Sequence, residues 1–390
     1  MKKCSIIMIL LISCAVFGQR PATPRKSAAP APAKEAAPVE SNLKKAGTND
    51  FLALVRVLKE WGFINSSGEY AITPQFENAK SFSNGFARVR SMGDWGYIDK
   101  KGVFVINPQF EGAEDFCNGL ARVYKFKNWG YIDKTGTFVI NPQFNDAEDF
   151  NNGLARVKKG VLWGLIDQKG NYTVNPQFSA LGPFSDGLAR ARIGKDWGYV
   201  NKTGKWEINP QFDDAEDFDG ELARVRKGTQ WGYIDKTGTY SINPQFDAVG
   251  KFIDGLASAK KMHQWGYIDK KGTWAVNPQF DQAGDFSEGL ARVKKGREWG
   301  YVDIAGTYTI NPQFDDAEDF NGDLARVKKG TQWGFISKKG LYTINPQFDV
   351  ANDFSNGFSL VRKGTKWGFI NSSGILVINC TFNDAEGFSK

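Results

Sequence analysis

Histidine occurs once in the 390 residues, at His263. That scarcity removes a Ser-His-Asp arrangement and any Cys/His zinc cluster, both of which need imidazole nitrogens at set positions. Of four cysteines, only Cys117 and Cys380 lie beyond residue 50. No second long apolar run follows Ile6 to Ile12, so nothing later in the chain has the roughly 20 apolar residues of a spanning helix. A strong charge of one sign is also missing where it would matter. The formal charge is +7, but residues 1–50 hold eight Lys/Arg against three Asp/Glu, while the remainder holds 42 against 40. A nearly neutral body lacks the basic footprint of phosphate-driven binding, so no nucleic-acid partner is expected. Hydrophobic content of 41% with 14% aromatics excludes a disordered chain.

What remains is periodic. Trp-Gly recurs at Trp61, Trp95, Trp129, Trp163, Trp197, Trp231, Trp265, Trp299, Trp333 and Trp367, always 34 residues apart. A fixed period in this range means units that bury their apolar faces only against neighbours. Counting each Trp as position 1, every unit carries three strand signals. The first is Trp-Gly-Tyr-Ile-Asp, as at Trp231 to Asp235, closed by a glycine at position 8 that supplies the positive φ of a tight turn. The second is Thr-Tyr-x-Ile, as at Thr239 to Ile242, ending at Asn-Pro-Gln-Phe, where proline removes a ladder donor. The third is Leu-Ala-Arg-Val, as at Leu290 to Val293. Between the second and third runs an acidic crossing segment, with spacing Phe-x-x-Ala-x-x-Phe, reads as one helical turn. The chain is therefore expected to be all-β: ten tandem 34-residue repeats, each a three-stranded antiparallel meander, stacked as an open superhelical or toroidal array. Edge strands at the two ends of an open array would be free to pair end to end. Propeller-like rings are the alternative; ten units exceed the usual 4–8 blades of a propeller.

The domain reading is a leader over 1–18, a Pro/Ala-rich tether over 19–49 and the repeat domain over 50–390. Lys2 and Lys3 followed by Ile6 to Ile12 form an export signal. Two exits stay open: cleavage after Gly18, or lipidation of Cys14 within Leu11-Ile12-Ser13-Cys14, which resembles a bacterial lipobox. Pro21, Pro24, Pro30, Pro32 and Pro38 keep the tether extended.

Trp-Gly-[Tyr/Phe]-Ile-Asp-Lys-x-Gly, with Asn-Pro-Gln-Phe and Gly-Leu-Ala-Arg-Val, resembles the WG-repeat family of bacterial proteins, also called KWG repeats. The resemblance covers about 51–390 and departs mildly at Thr73 and Cys380, which replace the usual Asn and Pro. It implies β-strand repeats, many of them exported, to the periplasm, the outer membrane surface or the medium. It brings no catalytic residue.

Trp at position 1 and Phe at positions 16 and 22 occur in all ten copies and are expected to form the stacked core. Position 10 varies among Tyr, Phe and Trp beside a turn, which makes Trp206, Tyr240, Trp274 and Tyr308 the candidate ligand-binding residues, with a glycan as ligand. Acidic runs such as Asp315-Asp316-Glu318-Asp319 lack the Asp-x-Asp-x-Asp-Gly form and are expected to meet lysines such as Lys328 and Lys329 in surface ion pairs. No metal and no cofactor is expected, nor an enzyme, because repeats distribute their groups evenly instead of building one asymmetric pocket. Cys117 and Cys380, at unlike repeat positions, read as two unpaired buried thiols. The functional expectation is an exported scaffold that binds another envelope or extracellular protein through its variable turns, at positions 17–18, 23–24 and 30–34. The alternative is a glycan or cell-wall binding module.

Overall fold

The computed structural model describes residues 51–390; the leader, the tether and Cys14 lie outside the described residues. Among the described residues every regular element is a strand. They form ten four-stranded antiparallel sheets, or blades, numbered here in chain order. In blade 6 the strands are Asp214–Ala215, Ala223–Lys227, Gln230–Ile234 and Tyr240–Phe246. The three long strands are the three read from sequence. The fourth strand comes from the crossing segment, which is not a helical turn. Asp214 and Ala215 pair with Arg226 and Val225, and the chain then bends away before Phe218. Sheet pairing satisfies the backbone there, which one short helical turn would leave largely open.

The Trp-Gly dipeptide follows from the register. Trp231 faces Phe246 and Tyr233 faces Ile242, so the partner strand bulges across Gly232. A Cβ at Gly232 would lie 2.7 Å from the Pro244 nitrogen and closer still to the Ile242 carbonyl. Only glycine leaves room for the bulge, and the same contact recurs in every blade.

No blade has a core of its own. Tyr199, Ile208 and Phe212 of blade 5 pack on Ala215, Phe218, Val225 and Ile234 of blade 6. Nine further clusters repeat this pattern, and one joins the two ends of the chain: Phe369, Ile378 and Phe382 of blade 10 meet Ala53, Val55 and Ile64 of blade 1. The C-terminal strand Asp384–Ser389 completes blade 1 by pairing with Leu52–Val57, Ala53 opposite Phe388 and Val55 opposite Ala385. The array is therefore closed, a ten-bladed β-propeller. The open superhelix is excluded, and the propeller alternative is the correct one, with four strands per blade instead of three. The strand edges expected to invite end-to-end association at the termini are consumed by each other.

Pairing sorts the turns onto two ends of the ring. The hairpin between the second and third strands shares one end with the blade-to-blade junction, as where the Gly228 amide donates to Asp213 Oδ2 at 2.6 Å. The turn between first and second strands lies at the other end with the turn between third and fourth, as where Lys338 of blade 9 meets Glu288 of blade 8 at 3.4 Å. We call these the hairpin end and the turn end. The variable positions thus do not share one face: 17–18 and 30–34 lie at the hairpin end, 23–24 at the turn end.

Candidate functional site

The position-10 aromatics begin the fourth strands of successive blades. Trp206, Tyr240, Trp274 and Tyr308 are all half-buried. Each sits edge-to-face on the position-16 phenylalanine of the preceding blade: Phe178 at 5.6 Å, Phe212 at 6.1 Å, Phe246 at 5.5 Å and Phe280 at 6.1 Å between centroids. That geometry favours the quadrupoles of both rings and fastens one blade to the next. Partial burial raises the Tyr240 and Tyr308 phenols above their ordinary range. The four residues occupy four different blades, so the fold spaces them around the ring and does not gather them into one pocket.

The position-1 tryptophans are not core residues in the sense expected. Only Trp299 is fully buried; the others are half-exposed beside the inter-blade clusters. All but Trp95 and Trp265 carry a cation from the neighbouring strand on the ring. Trp197 has Arg190 at 5.5 Å and Arg192 at 5.2 Å from its ring, and Trp299 has Arg292 and Lys294, both at 5.6 Å. The stack recurs in those eight of the ten blades and is supported by alternate residues of the second strand that point to the same side. The phenylalanines at position 16 are buried throughout, and those at position 22 are buried except Phe184, Phe252 and Phe354, which are half-buried.

The acidic segment divides between the two ends. Residues at position 17 cap hairpin amides, as Asp315 Oδ2 accepts from Gly330. Those at positions 20 and 21 face arginine, not lysine. Arg292 reaches Glu318 at 2.7 Å and Asp319 at 2.9 Å, and it donates to the Ala317 carbonyl at 2.7 Å, all in the next blade. Arg190 makes the same connections to Asp217 and Ala215, and Arg88 to Glu114, Asp115 and Ala113. Lys328 instead stacks on Trp333, and Lys329 bonds the Gln313 carbonyl. Burial raises the Asp115, Asp217 and Asp319 carboxyls, with arginine opposing it. The belt is interrupted where Leu54, Ser258 and Leu360 replace arginine. Opposite Leu54 the acidic pair is itself replaced by Lys80 and Ser81, which turn to Glu386 of the closing strand. Six buried tyrosines at position 3 add a further inter-blade bond, as Tyr199 donates to the Glu216 carbonyl at 2.7 Å.

Cys117 and Cys380 are free, as expected, but half-buried and not buried. Cys117 donates to the Phe150 carbonyl at 3.2 Å, far from Cys380 in blade 10. Among the described residues no group of three or more His, Cys, Asp or Glu is placed to hold a metal ion. Clefts do form between blades at the turn end; one, of about 160 Å³, is bordered by Asp149, Arg156 and Phe184. What sequence reading missed is the apolar character of one group of hairpin tips, Leu58, Met92, Phe126, Val161 and Met262, all highly exposed. The signal was present: position 32 is glycine in six hairpins and a large apolar residue in four.

Ten consecutive segments match the family described as WG containing repeat: 61–93, 95–125, 129–160, 163–195, 197–228, 231–261, 265–298, 299–330, 333–367 and 367–390. Comparison with curated proteins gives no match. Among solved structures, one described as a eukaryotic initiation factor superposes with a TM-score of 0.50 at 11% identity, covering 87% of this chain and 98% of that one. PorZ, a bacterial surface component of the type-IX secretion system of Porphyromonas gingivalis, gives 0.28 at 10% identity over 86% of this chain and 54% of that one. Hsv2 of Kluyvelomyces marxianus gives 0.35 at 9% identity over 61% and 96%. At such identities the likeness concerns the fold alone. With its repeat matched in ten successive segments over residues 61–390, the chain belongs to the WG containing repeat family.

Proposed function

We propose that the protein is a non-enzymatic, exported scaffold that holds a protein partner at the bacterial cell envelope. The observation that carries this reading is a contrast between repeated cement and varied turns. The position-16 phenylalanine, the Trp stack and the glycine bulge recur from blade to blade. The turn-end residues do not: Ser83-Asn84, Cys117-Asn118, Asp219-Gly220, Ile253-Asp254 and Ser287-Glu288 occupy equivalent places. A rigid ring presenting unlike turns in a fixed order is suited to one partner at many points. Export rests on the N-terminal signal. A glycan module has less support, because the position-10 rings already pack against a neighbouring phenylalanine.

The test is retention of solubilised envelope proteins on the immobilised full chain, alongside insoluble cell wall. Replacing residues at positions 23–25 of blades 4–7 by Ser-Asn-Gly should abolish capture of a discrete protein without lowering thermal stability. Undiminished capture, or saturable retention by cell wall competed by free sugar, would refute the scaffold reading.

A further inference from the structure

We propose that the cleft between blades 4 and 5 binds a carboxylate side chain, glutamate or aspartate, of the protein partner. It takes the place that an aspartate of the ring itself fills at other joints. In five joints the arginine of the second strand meets an aspartate of the next blade through its Nε. Arg122 meets Asp149 at 2.8 Å, Arg190 meets Asp217 at 3.0 Å and Arg326 meets Asp353 at 2.6 Å, with the same contact at Arg88 and Arg292. The repeat itself thus shows what this guanidinium takes. Arg156 stands at the same place in blade 4, half-buried, and donates to the Leu181 carbonyl as its counterparts donate to theirs. Blade 5, however, faces it with Gly182-Pro183, so no aspartate reaches its Nε.

Two observations make this joint a site. The cleft of about 160 Å³ opens there, bordered by Arg156 and Asn151 and walled by Leu154, Leu165 and Phe184. Its volume lies below the roughly 300–1,000 Å³ of a pocket for a free small molecule and suits a single side chain. A second donor is released at the same joint. Asn84, Asn118 and Asn356 donate from Nδ2 to the carbonyl of the next blade's position-22 phenylalanine, at 2.7, 2.6 and 3.0 Å. Asn152 holds the equivalent turn with a φ of 51°, yet among the described residues it makes no such bond to Phe184. Arg224, the other arginine that faces no acid in the next blade, differs. Lys251 stands where the aspartate would be, and the cleft there is only about 20 Å³.

The charged residues bordering the cleft are Glu148, Asp149 and Arg156. Both acids are engaged: Glu148 approaches Arg156 Nη2 at 3.6 Å, and Asp149 is held by Arg122. A glutamate in the arginine's own blade does not exclude a second carboxylate. Arg122 has Glu114 in its blade and still takes Asp149 on Nε, and Arg326 has Glu318 and takes Asp353. Burial lowers the Arg156 pKa from its ordinary value, with Glu148 opposing, and a carboxylate on Nε would offset that desolvation. A neutral or cationic side chain would not. This inference rests on the scaffold reading and names the chemistry of one contact point at the turn end.

The experiment follows the Arg156 Nε–H signal by NMR while the full chain is titrated with acetyl-Leu-Glu-Leu-amide or acetyl-Leu-Gln-Leu-amide. The Glu peptide should shift that signal saturably and bind about tenfold or more tightly than the Gln peptide. Pro183→Asp gives blade 5 the Gly-Asp pair that blade 8 carries at Gly284-Asp285. It should raise Tm and weaken Glu-peptide binding by about tenfold or more. Arg156→Leu, matching Leu54 and Leu360 in blades 1 and 10, should remove the preference for Glu over Gln. Equal binding of the two peptides, binding of neither, or undiminished binding by Pro183→Asp overturns the proposal. An envelope protein captured equally by the unaltered chain and by Pro183→Asp overturns this site and leaves the scaffold reading intact. Glu-selective binding without any captured protein refutes the scaffold reading and upholds the carboxylate site.

Discussion

Removing the Phe388 ring tests whether the array is closed. This side chain is 5% exposed, with Phe358 at 4.7 Å and Phe369 at 5.0 Å between centroids, and its backbone pairs across the joint with Ala53. Truncating such a phenylalanine to alanine costs about 3–5 kcal/mol. Unfolding entropy of roughly 2.1 cal/mol/K per residue, taken over residues 51–390, gives about 0.7 kcal/mol/K for the ring. Phe388→Ala should therefore lower Tm by about 4–7 °C if the ring unfolds as one unit. The control is Phe218→Ala, the same repeat position between blades 5 and 6, where Phe218 is 3% exposed and lies 4.8 Å from Tyr199. A closed ring has no end, so both variants should lose similar stability in near-ultraviolet circular dichroism and calorimetry. In an open array Phe388 would sit on a fraying terminus, and its loss would leave the remaining blades unchanged. A shift for Phe388→Ala below half that for Phe218→Ala would refute closure.

Three other outcomes follow from the geometry. Gly198→Ala, which drives a Cβ into the Ile208 carbonyl and the Pro210 nitrogen, should cost about 3 kcal/mol or more in urea unfolding; a loss near that of an exposed glycine would show that the bulge yields. Arg190→Leu should destabilise by about 1–3 kcal/mol by stranding Asp217 and the Ala215 carbonyl, and Arg190→Leu/Asp217→Ser, which copies Leu54 opposite Ser81, should restore most of that in a double-mutant cycle. Burial raises the phenols of Tyr97, Tyr131, Tyr199, Tyr233, Tyr267 and Tyr301. A raised folded pKa means the unfolded chain releases those protons first, so stability should be intact below about pH 10 and fall above it. Spectrophotometric titration should find these six silent until the fold is lost, and early ionisation would contradict their burial.

The strands that alternate over four or more residues were legible, because a one-residue slip in any of them would invert a buried face. Asp214–Ala215 was not: two paired residues within an acidic run carry no visible period. The Trp at position 1 misled for a different reason. Recurrence in every copy shows that a contact repeats, but it does not distinguish an apolar contact from a cation stacked on a ring, and Arg190 and Arg192 lie 7 and 5 residues away from Trp197 on another strand. The position-10 residues were placed correctly beside a turn, yet their attachment to Phe178 or Phe246 of the preceding blade depends on an inter-blade distance that spacing alone does not set. Closure was not legible. The curvature that brings Leu52 to Ser389 is a property of ten packed interfaces, which spacing along the chain does not carry.

The joint at Leu52 and Ser389 spans 337 residues, whereas the other blades are each assembled from strands close in sequence. A chain emerging from the N-terminus can complete blades 2 to 10 as it appears, but blade 1 waits with an open strand edge until the last segment arrives. Completing blade 1 is then a single long-range loop closure, and a chain ending before Asp384 would keep both an unfilled groove and a bare strand edge that another copy could pair with.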